Sequence, residues 1–367
     1  MANTLSLAAL ALLALLPIGC ASPSAGPQTT HTPAPPVMLA MQDQAEPAEG
    51  FDDATARKAA NTLLTSLDET QRTKIAFALD SDTRTDWHFI PRDRVGLPLG
   101  ELTDAQKHHL HALLQTALSN AGYLKVTDIL WLETFLAEFE NNPRGRDVGK
   151  YVVQLFGDPA ADDAAWGWRF EGHHLSINLL YADGQVRVTP MFLGTNPAVV
   201  PTGPLAGKRI LSEEHTLALE LAASMSAEQR AKMLLEGKPR DIITGPGRED
   251  ALQEIVGVHS DQLTSEQSFT LHLLIAAYVM NFEIKHFGFF SNQWWLAGQD
   301  SPIDSVAFAW AGPTDGSGPF YYRIHGPNFV IEYACQGANH VHAVFHDLTD
   351  PLGKDLLREH FEQHEHQ

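Results

Sequence analysis

Residues Trp166–Asn178 read WGWRFEGHHLSIN, and residues Ala338–Asp347 read ANHVHAVFHD. Apolar and polar side chains alternate through both, the period-two pattern of a β-strand with two unlike faces. Residues i, i+2 and i+4 of a strand point the same way. His340, His342 and His346 therefore share one face of the second segment, and Val341, Ala343, Phe345 and Asp347 share the other. Imidazoles at i and i+2 stand close enough to bind one metal ion, and His173 or His174 from a neighbouring strand would supply a third ligand.

Working outward, strand-like runs cluster around each stretch. Tyr151–Phe156, His174–Tyr181 and Val186–Phe192 surround the first, with Asp183-Gly184 as a hairpin signal. Val306–Ala311, Tyr321–His325 and Asn328–Tyr333 precede the second. Helical periodicity fills the rest. Residues 52–80 carry Ala56, Ala60, Leu63 and Leu67 on one face, and a helix begins at the capping box Thr103-Asp104-Ala105-Gln106 and stops at Gly122. Further helices are expected over Val126–Glu140, Glu213–Met225, Ala227–Leu235, Glu266–Phe282 and Lys354–His364. No repeat of 20 to 50 residues is visible. Strands come in runs rather than alternating singly with helices, so the class is α+β, an antiparallel sheet built from two strand clusters and flanked by helices. The clusters belong either to one sheet or to two related halves.

The N-terminus reads as an export signal. Leu5–Leu16 is almost wholly apolar, too short to span a bilayer, and runs into Pro17-Ile18-Gly19-Cys20. This resembles a bacterial lipoprotein signal over residues 1–20, with Cys20 as the lipidated residue. Residues 21–50, rich in Pro, Ala, Thr and Gln, read as a tether, and residues 51–367 as one domain. Cys335 is the second of two cysteines, so no internal disulfide is expected in the exported chain.

Composition excludes some partners. The formal net charge is −20, from 45 acidic and 25 basic residues. Phosphate backbones need clustered Lys and Arg, so nucleic acid is not an expected partner, and membrane contact is expected only through an N-terminal lipid. The sequence carries no Gly-rich phosphate loop, GxSxG elbow, HExxH or CxxC.

The first strand offers further chemistry. Trp166, Trp168 and Phe170 share a face that is most simply core, with a cleft wall as the alternative. Arg169 and Glu171 share the other face. They can pair with each other, or serve as an anion clamp and a general base. Gly172 leaves open which of His173 and His174 points with Glu171. The turn-rich Gly194-Thr195-Asn196-Pro197-Ala198 reads as a structural turn or as a loop lining a site.

These segments together resemble the domain-of-unknown-function family 3500. The likeness is carried by WGWRFEGHHLSIN, TPMFLGTNPA (189–198), FAWAG (308–312), YYRIHGPNFVIEY (321–333) and ANHVHAVFHD, and runs from about Asp86 to His360. The resemblance implies that Trp166, Trp168, Arg169, Glu171, His173, His174, Asn196, Tyr322, Glu332, His340, His342 and Asp347 match family positions. It implies no reaction. Ala334-Cys335 and His346 depart from the family pattern, which makes Cys335 and His346 poor candidates for a shared site.

Two readings follow. One is a metal-dependent enzyme of the cell envelope or periplasm. In it His340, His342 and His173 or His174 bind zinc, copper or iron, Glu171 acts as base or ligand, and Arg169 orients an anionic substrate. The other is a non-catalytic lipoprotein in which the same histidines, Trp166 and Asn196 line a pocket for a small molecule or peptide.

Overall fold

The computed structural model describes residues 53–364 apart from 143, 162–163, 238–240, 284–304 and 338. The expected signal segment, Cys20 and the tether lie outside the described residues. No helix among the described residues is long and apolar enough to cross a membrane.

The chain runs α1 (Asp53–Ser66), α2 (Glu69–Ile75), β1 (Ala76–Phe77), β2 (Leu97–Pro98), α3 (Asp104–Gln115) and α4 (Asn120–Phe139). A meander follows: β3 (Val152–Gly157), β4 (Trp166–Gly172), β5 (Leu175–Ala182) and β6 (Gln185–Thr195). Then come α5 (Ser212–Ser224), α6 (Ala227–Met233), β7 (Val258–His259) and α7 (Ser265–Val279). A second meander, β8 (Ala307–Ala311), β9 (Phe320–His325), β10 (Phe329–Gln336) and β11 (His340–Asp347), leads to α8 (Lys354–His364). The class is α+β, as the alternation of apolar residues implies. The two strand clusters are not separate sheets. They join through β6 and β11 into one 11-stranded sheet, ordered β1-β3-β4-β5-β6-β11-β10-β9-β8-β7, with β2 beside β3.

The two faces of this sheet are covered differently. Trp168, Phe170, Ile177, Val341, Phe345, Ile331 and Tyr322 point into one large core with Leu63 of α1, Leu114 of α3, Leu221 of α5 and Leu274 of α7. On the opposite face Phe192, Val344, Ala334 and Tyr321 meet Trp87, Phe89 and Ile242, which come from connecting segments. That second face also carries the buried polar side chains Gln154, Arg169, Glu171, Asn178, Glu332, His342 and His346. Buried polar groups must find partners, and the backbone of those covering segments supplies many of them.

Order within the sheet exposes a duplication. β3 to β6 and β8 to β11 are matched meanders, arranged about the β6–β11 seam. β1 pairs parallel with β3, as Leu234 pairs parallel with Trp310 of β8, and β2 on β3 is matched by β7 on β8. In the first half Gln71 Nε2 donates to Glu101 O at 2.8 Å and Gln106 Nε2 to Ser66 O at 2.9 Å, while the two amides bond each other. In the second half Gln229 Nε2 donates to Gln262 O at 2.8 Å and Gln267 Nε2 to Ser224 O at 2.9 Å, with the same reciprocal pair. All four glutamines also close capping boxes. Arg169 faces Asn178 across β4 and β5, as Arg323 faces Glu332 across β9 and β10. Thr195-Asn196-Pro197 after β6 is echoed by Thr349-Asp350-Pro351 after β11. The repeat unit is thus half the domain, far longer than 50 residues.

Two helix boundaries differ from expectation: the helical stretch expected over residues 52–80 ends at Ile75, where the chain turns into β1 to pair with β3, and the stop expected at Gly122 is absent. Gly122 is not a stop but lies in the first turn of α4, capped by Ser119. A Cβ there would stand 1.9 Å from the Asn281 carbonyl oxygen, so glycine marks a close approach to the chain beyond α7.

Candidate metal centre

Two residues, His173 and His174, form the whole turn between β4 and β5, because Gly172 pairs with Leu175. His174 takes φ +63°, a left-handed conformation that side chains other than Gly, Asn and Asp seldom adopt. Backbone contacts hold it there. Its N–H donates to Phe89 O at 2.9 Å, and its carbonyl accepts from Gly194 N at 2.7 Å. The ring then lies over Gly194, where a Cβ would meet the His174 side chain at 2.9–3.1 Å.

Gly194 is also the register partner of His342 on β11. The turn of the first half thereby lays His174 against the first residues of the second half's last strand. His174 Nε2 is 2.8 Å from His340 Nε2, and one ligand nitrogen from each of His174, His340 and His342 lies within 4.8 Å of the others. Nitrogens sharing a tetrahedral ion at about 2.1 Å stand roughly 3.4 Å apart, so the observed spacings bracket what a common ion requires.

Asp241 completes the arrangement. His342 Nδ1 donates to its Oδ1 at 2.7 Å, which leaves the lone pair on Nε2. Burial alone would raise the Asp241 carboxyl. Its hydrogen bond and charge contact with His342, with the Ile242 amide, outweigh this and hold it below the ordinary aspartate value. Burial, then the neighbouring imidazoles, keeps His174 well below the usual histidine value and pulls His340 down to about 4. These two rings are neutral at neutral pH, the form that binds a metal. His174 and His342 are buried and His340 is half-buried.

Residues 49–354 match the model of a family described as a protein of unknown function, DUF3500. The chain belongs to this family. No curated protein and no solved structure matches it.

Within this DUF3500 protein the other expected site residues have different surroundings. His173 is outside the three-nitrogen cluster, though its ring stacks on His174 with centroids 3.8 Å apart. Its Nδ1 lies 2.7 Å from Glu133 Oε2, and Arg146 Nη1 is 3.0 Å away. Arg169 does not form an anion clamp. It is 1% exposed, and its guanidinium donates to Asn178 Oδ1, Gln154 Oε1 and the carbonyls of Thr83, Arg84 and Asp86. Burial lowers it only to about 10, so it stays charged. Glu171 does not reach the cluster as a base. It accepts from His88 N at 2.9 Å and pairs with Arg94 Nε at 3.2 Å. Both residues anchor the segment over the sheet.

Trp166 lies at the far end of β4 from the turn, fully buried, stacked on Tyr181 and donating to Asp53 Oδ1. It lines no site. Asn196 is half-buried two residues beyond Gly194 and contributes no atom to the cluster. His346 Nε2 donates to Thr244 O, and the Cys335 thiol donates to Gly337 O, so both are apart from it.

Two contributors escaped the sequence. Asp241 sits in an irregular segment with no periodic pattern to mark it. Gly194 was visible only as part of a turn-rich loop after a strand.

Proposed function

We propose that His174, His340 and His342 bind one divalent transition ion, zinc, copper or iron, and that the protein is a metal-dependent enzyme of the cell envelope. The observation that carries this is the convergence of three largely buried imidazoles from both halves of the chain, one of them oriented by a carboxylate. A shared ion would satisfy one nitrogen on each of the three rings, two of them buried, at the place where His174 and His340 otherwise have each other. Three nitrogen ligands leave positions open for water or substrate, the arrangement of catalytic rather than structural sites. An ion there would polarise a bound oxygen or lower the pKa of bound water. This chain's own residues hold the ligands: Gly194 makes room for His174, Phe89 O fixes its turn, and Asp241 sets the His342 tautomer.

Envelope location is part of the proposal and rests on the Leu5–Leu16 run and Cys20. The N-terminal mass of the native protein tests it, and a diacylglyceryl group on Cys20 is the expected result.

The metal is tested on full-length protein purified without a His-tag. Elemental analysis should give about one ion per chain. His342→Ala should lose it, and Asp241→Asn should weaken zinc affinity about 10–100-fold, both with the fold intact by circular dichroism. Equal metal content in wild type and His342→Ala would end the proposal. A wild-type protein that binds metal but turns over no ester, peptide or phosphate substrate would favour the non-catalytic binding protein.

A further inference from the structure

A cleft of roughly 330 Å³ opens beside the centre, large enough for a small molecule. Its floor is the buried trio Glu133, Tyr151 and His173, and its rim is the exposed Arg92, Asp93, Asp147 and Lys150.

Three acidic and three basic side chains line it, but they are not equally available. Arg92 pairs with Asp86 at 2.7 Å and Arg94 with Glu171 at 3.2 Å, and neither of those acids lines the cleft. Lys150 has no ion pair among the described residues and donates to Arg144 O at 2.8 Å. On the acidic side, Asp93 has no ion pair among the described residues, and Asp147 accepts from a neutral donor, the Gly149 amide, at 2.8 Å. Pairing with groups outside the cleft thus leaves three carboxylates facing one ammonium. In a chain of net charge −20 the cleft walls focus this field.

The floor supplies the deciding observation. Glu133 is 4% exposed and takes the His173 Nδ1 proton on Oε2 at 2.7 Å. Arg146 Nη1, which can only donate, stands 3.1 Å from His173 Nε2, so that nitrogen accepts and the imidazole brings no charge to Glu133. Glu133 Oε1 has no donor among the described residues and is left to the cleft. A buried carboxylate oxygen without a donor is costly, and it attracts a cation more strongly there than at the surface. The three carboxylates do not converge on a metal ion. Among the described residues, the side chains close enough to share one are His174, His340 and His342.

We propose that the cleft binds a small organic cation through a protonated primary amine, which donates to Glu133 Oε1 at the floor while Asp93 and Asp147 attract it at the rim. This site stands without the metal reading above.

Isothermal titration of metal-free, untagged full-length protein with putrescine at low salt tests it, with butanediol as the uncharged analogue. Stripping the metal leaves the amine no ion to ligate. The expected result is saturable putrescine binding, weakened by added NaCl, and at least about 10-fold tighter than that of butanediol. Glu133→Gln keeps the size of the side chain and an acceptor for His173, and should bind putrescine at least about 10-fold less tightly. Asp93→Asn/Asp147→Asn, both at the exposed rim, should weaken binding about 3-fold. No saturation by putrescine, equal affinity for butanediol, or wild-type affinity in Glu133→Gln overturns the proposal. Should circular dichroism show Glu133→Gln unfolded, wild-type affinity in the rim variant overturns the proposal and weakened binding there supports it.

Discussion

The two halves of the molecule share a scaffold and differ at equivalent corners. In the first half Gly194 N donates to the carbonyl of the turn residue His174; in the second Leu348 N donates to the carbonyl of Asn328, at 2.7 and 2.9 Å. The backbone contact is the same. The side chains are not. Histidine over glycine places one of the three clustered nitrogens, whereas asparagine beside leucine places none. The second half instead contributes His340 and His342, at the start of β11, and Asp241. The repeated scaffold therefore accounts for the fold, and the departures from repetition account for the site.

Interior crossbars differ as well. In the first half a cation, Arg169, grips carbonyls of residues 83–86. In the second an anion, Glu332, accepts from the amides of Ile243 and Thr244 at 2.7 and 2.8 Å and from the Tyr321 hydroxyl at 2.6 Å. Both groups are buried and fully engaged, and removing one partner of such a network leaves the rest unsatisfied. Arg169→Ala and Glu332→Ala are each expected to cost about 3–5 kcal/mol, seen as a large fall in the urea midpoint. Hydrogen exchange sharpens the comparison. Arg169→Ala should speed exchange first near residues 83–88, and Glu332→Ala first near 242–249. Uniform acceleration in both variants would show that the two covering segments open as one unit.

The strands were legible because side-chain alternation survives burial of both faces, and the helices because Thr103 and Gln106 spell their own cap. The choice between His173 and His174 was not legible, since a two-residue turn with one positive φ decides it. Arg169 and Glu171 do pair, Nε to Oε2 at 3.8 Å, as their shared strand face allows, but their backbone partners some 80 residues away were not legible. The duplication was hidden because each half meets the same packing needs with different residues: Trp168 and Phe170 in one, Tyr322 and Ile324 in the other.

Acid should separate the halves next. His111 on α3 is buried against the Tyr123 hydroxyl, and burial, then His108 and Lys107, pulls it down to about 4. Its counterpart at the same helical position of α7 is His272, half-buried at the surface. A histidine lowered in the folded state is neutral in both states above about pH 6.5. Below that the unfolded chain protonates first, so stability drains between pH 6.5 and 4. His111 alone accounts for up to about 3 kcal/mol of this loss. His111→Gln should flatten the decline of the urea midpoint between pH 7 and 4.5 relative to the wild type. A decline as steep as the wild type's in that variant would refute the assignment to His111.

The corner itself gives the smallest effect on folding and the most specific one on function. Gly194→Leu installs the residue that the second half carries at the equivalent place. Leu348 shows that the backbone there tolerates a side chain, so the fold should survive with a modest loss of stability. A side chain at 194, however, enters the space of the His174 ring, since even a Cβ would lie 2.9–3.1 Å from it. His174 must swing away, leaving His340 and His342 as a two-nitrogen site. Zinc affinity, measured by competition with a chromogenic chelator, should fall about 100-fold, or about 2.7 kcal/mol. The reciprocal Leu348→Gly deletes a half-buried side chain in the other half and should leave zinc affinity unchanged. If Gly194→Leu keeps wild-type affinity, then His174 is not a ligand, and the difference between the two corners is one of packing alone.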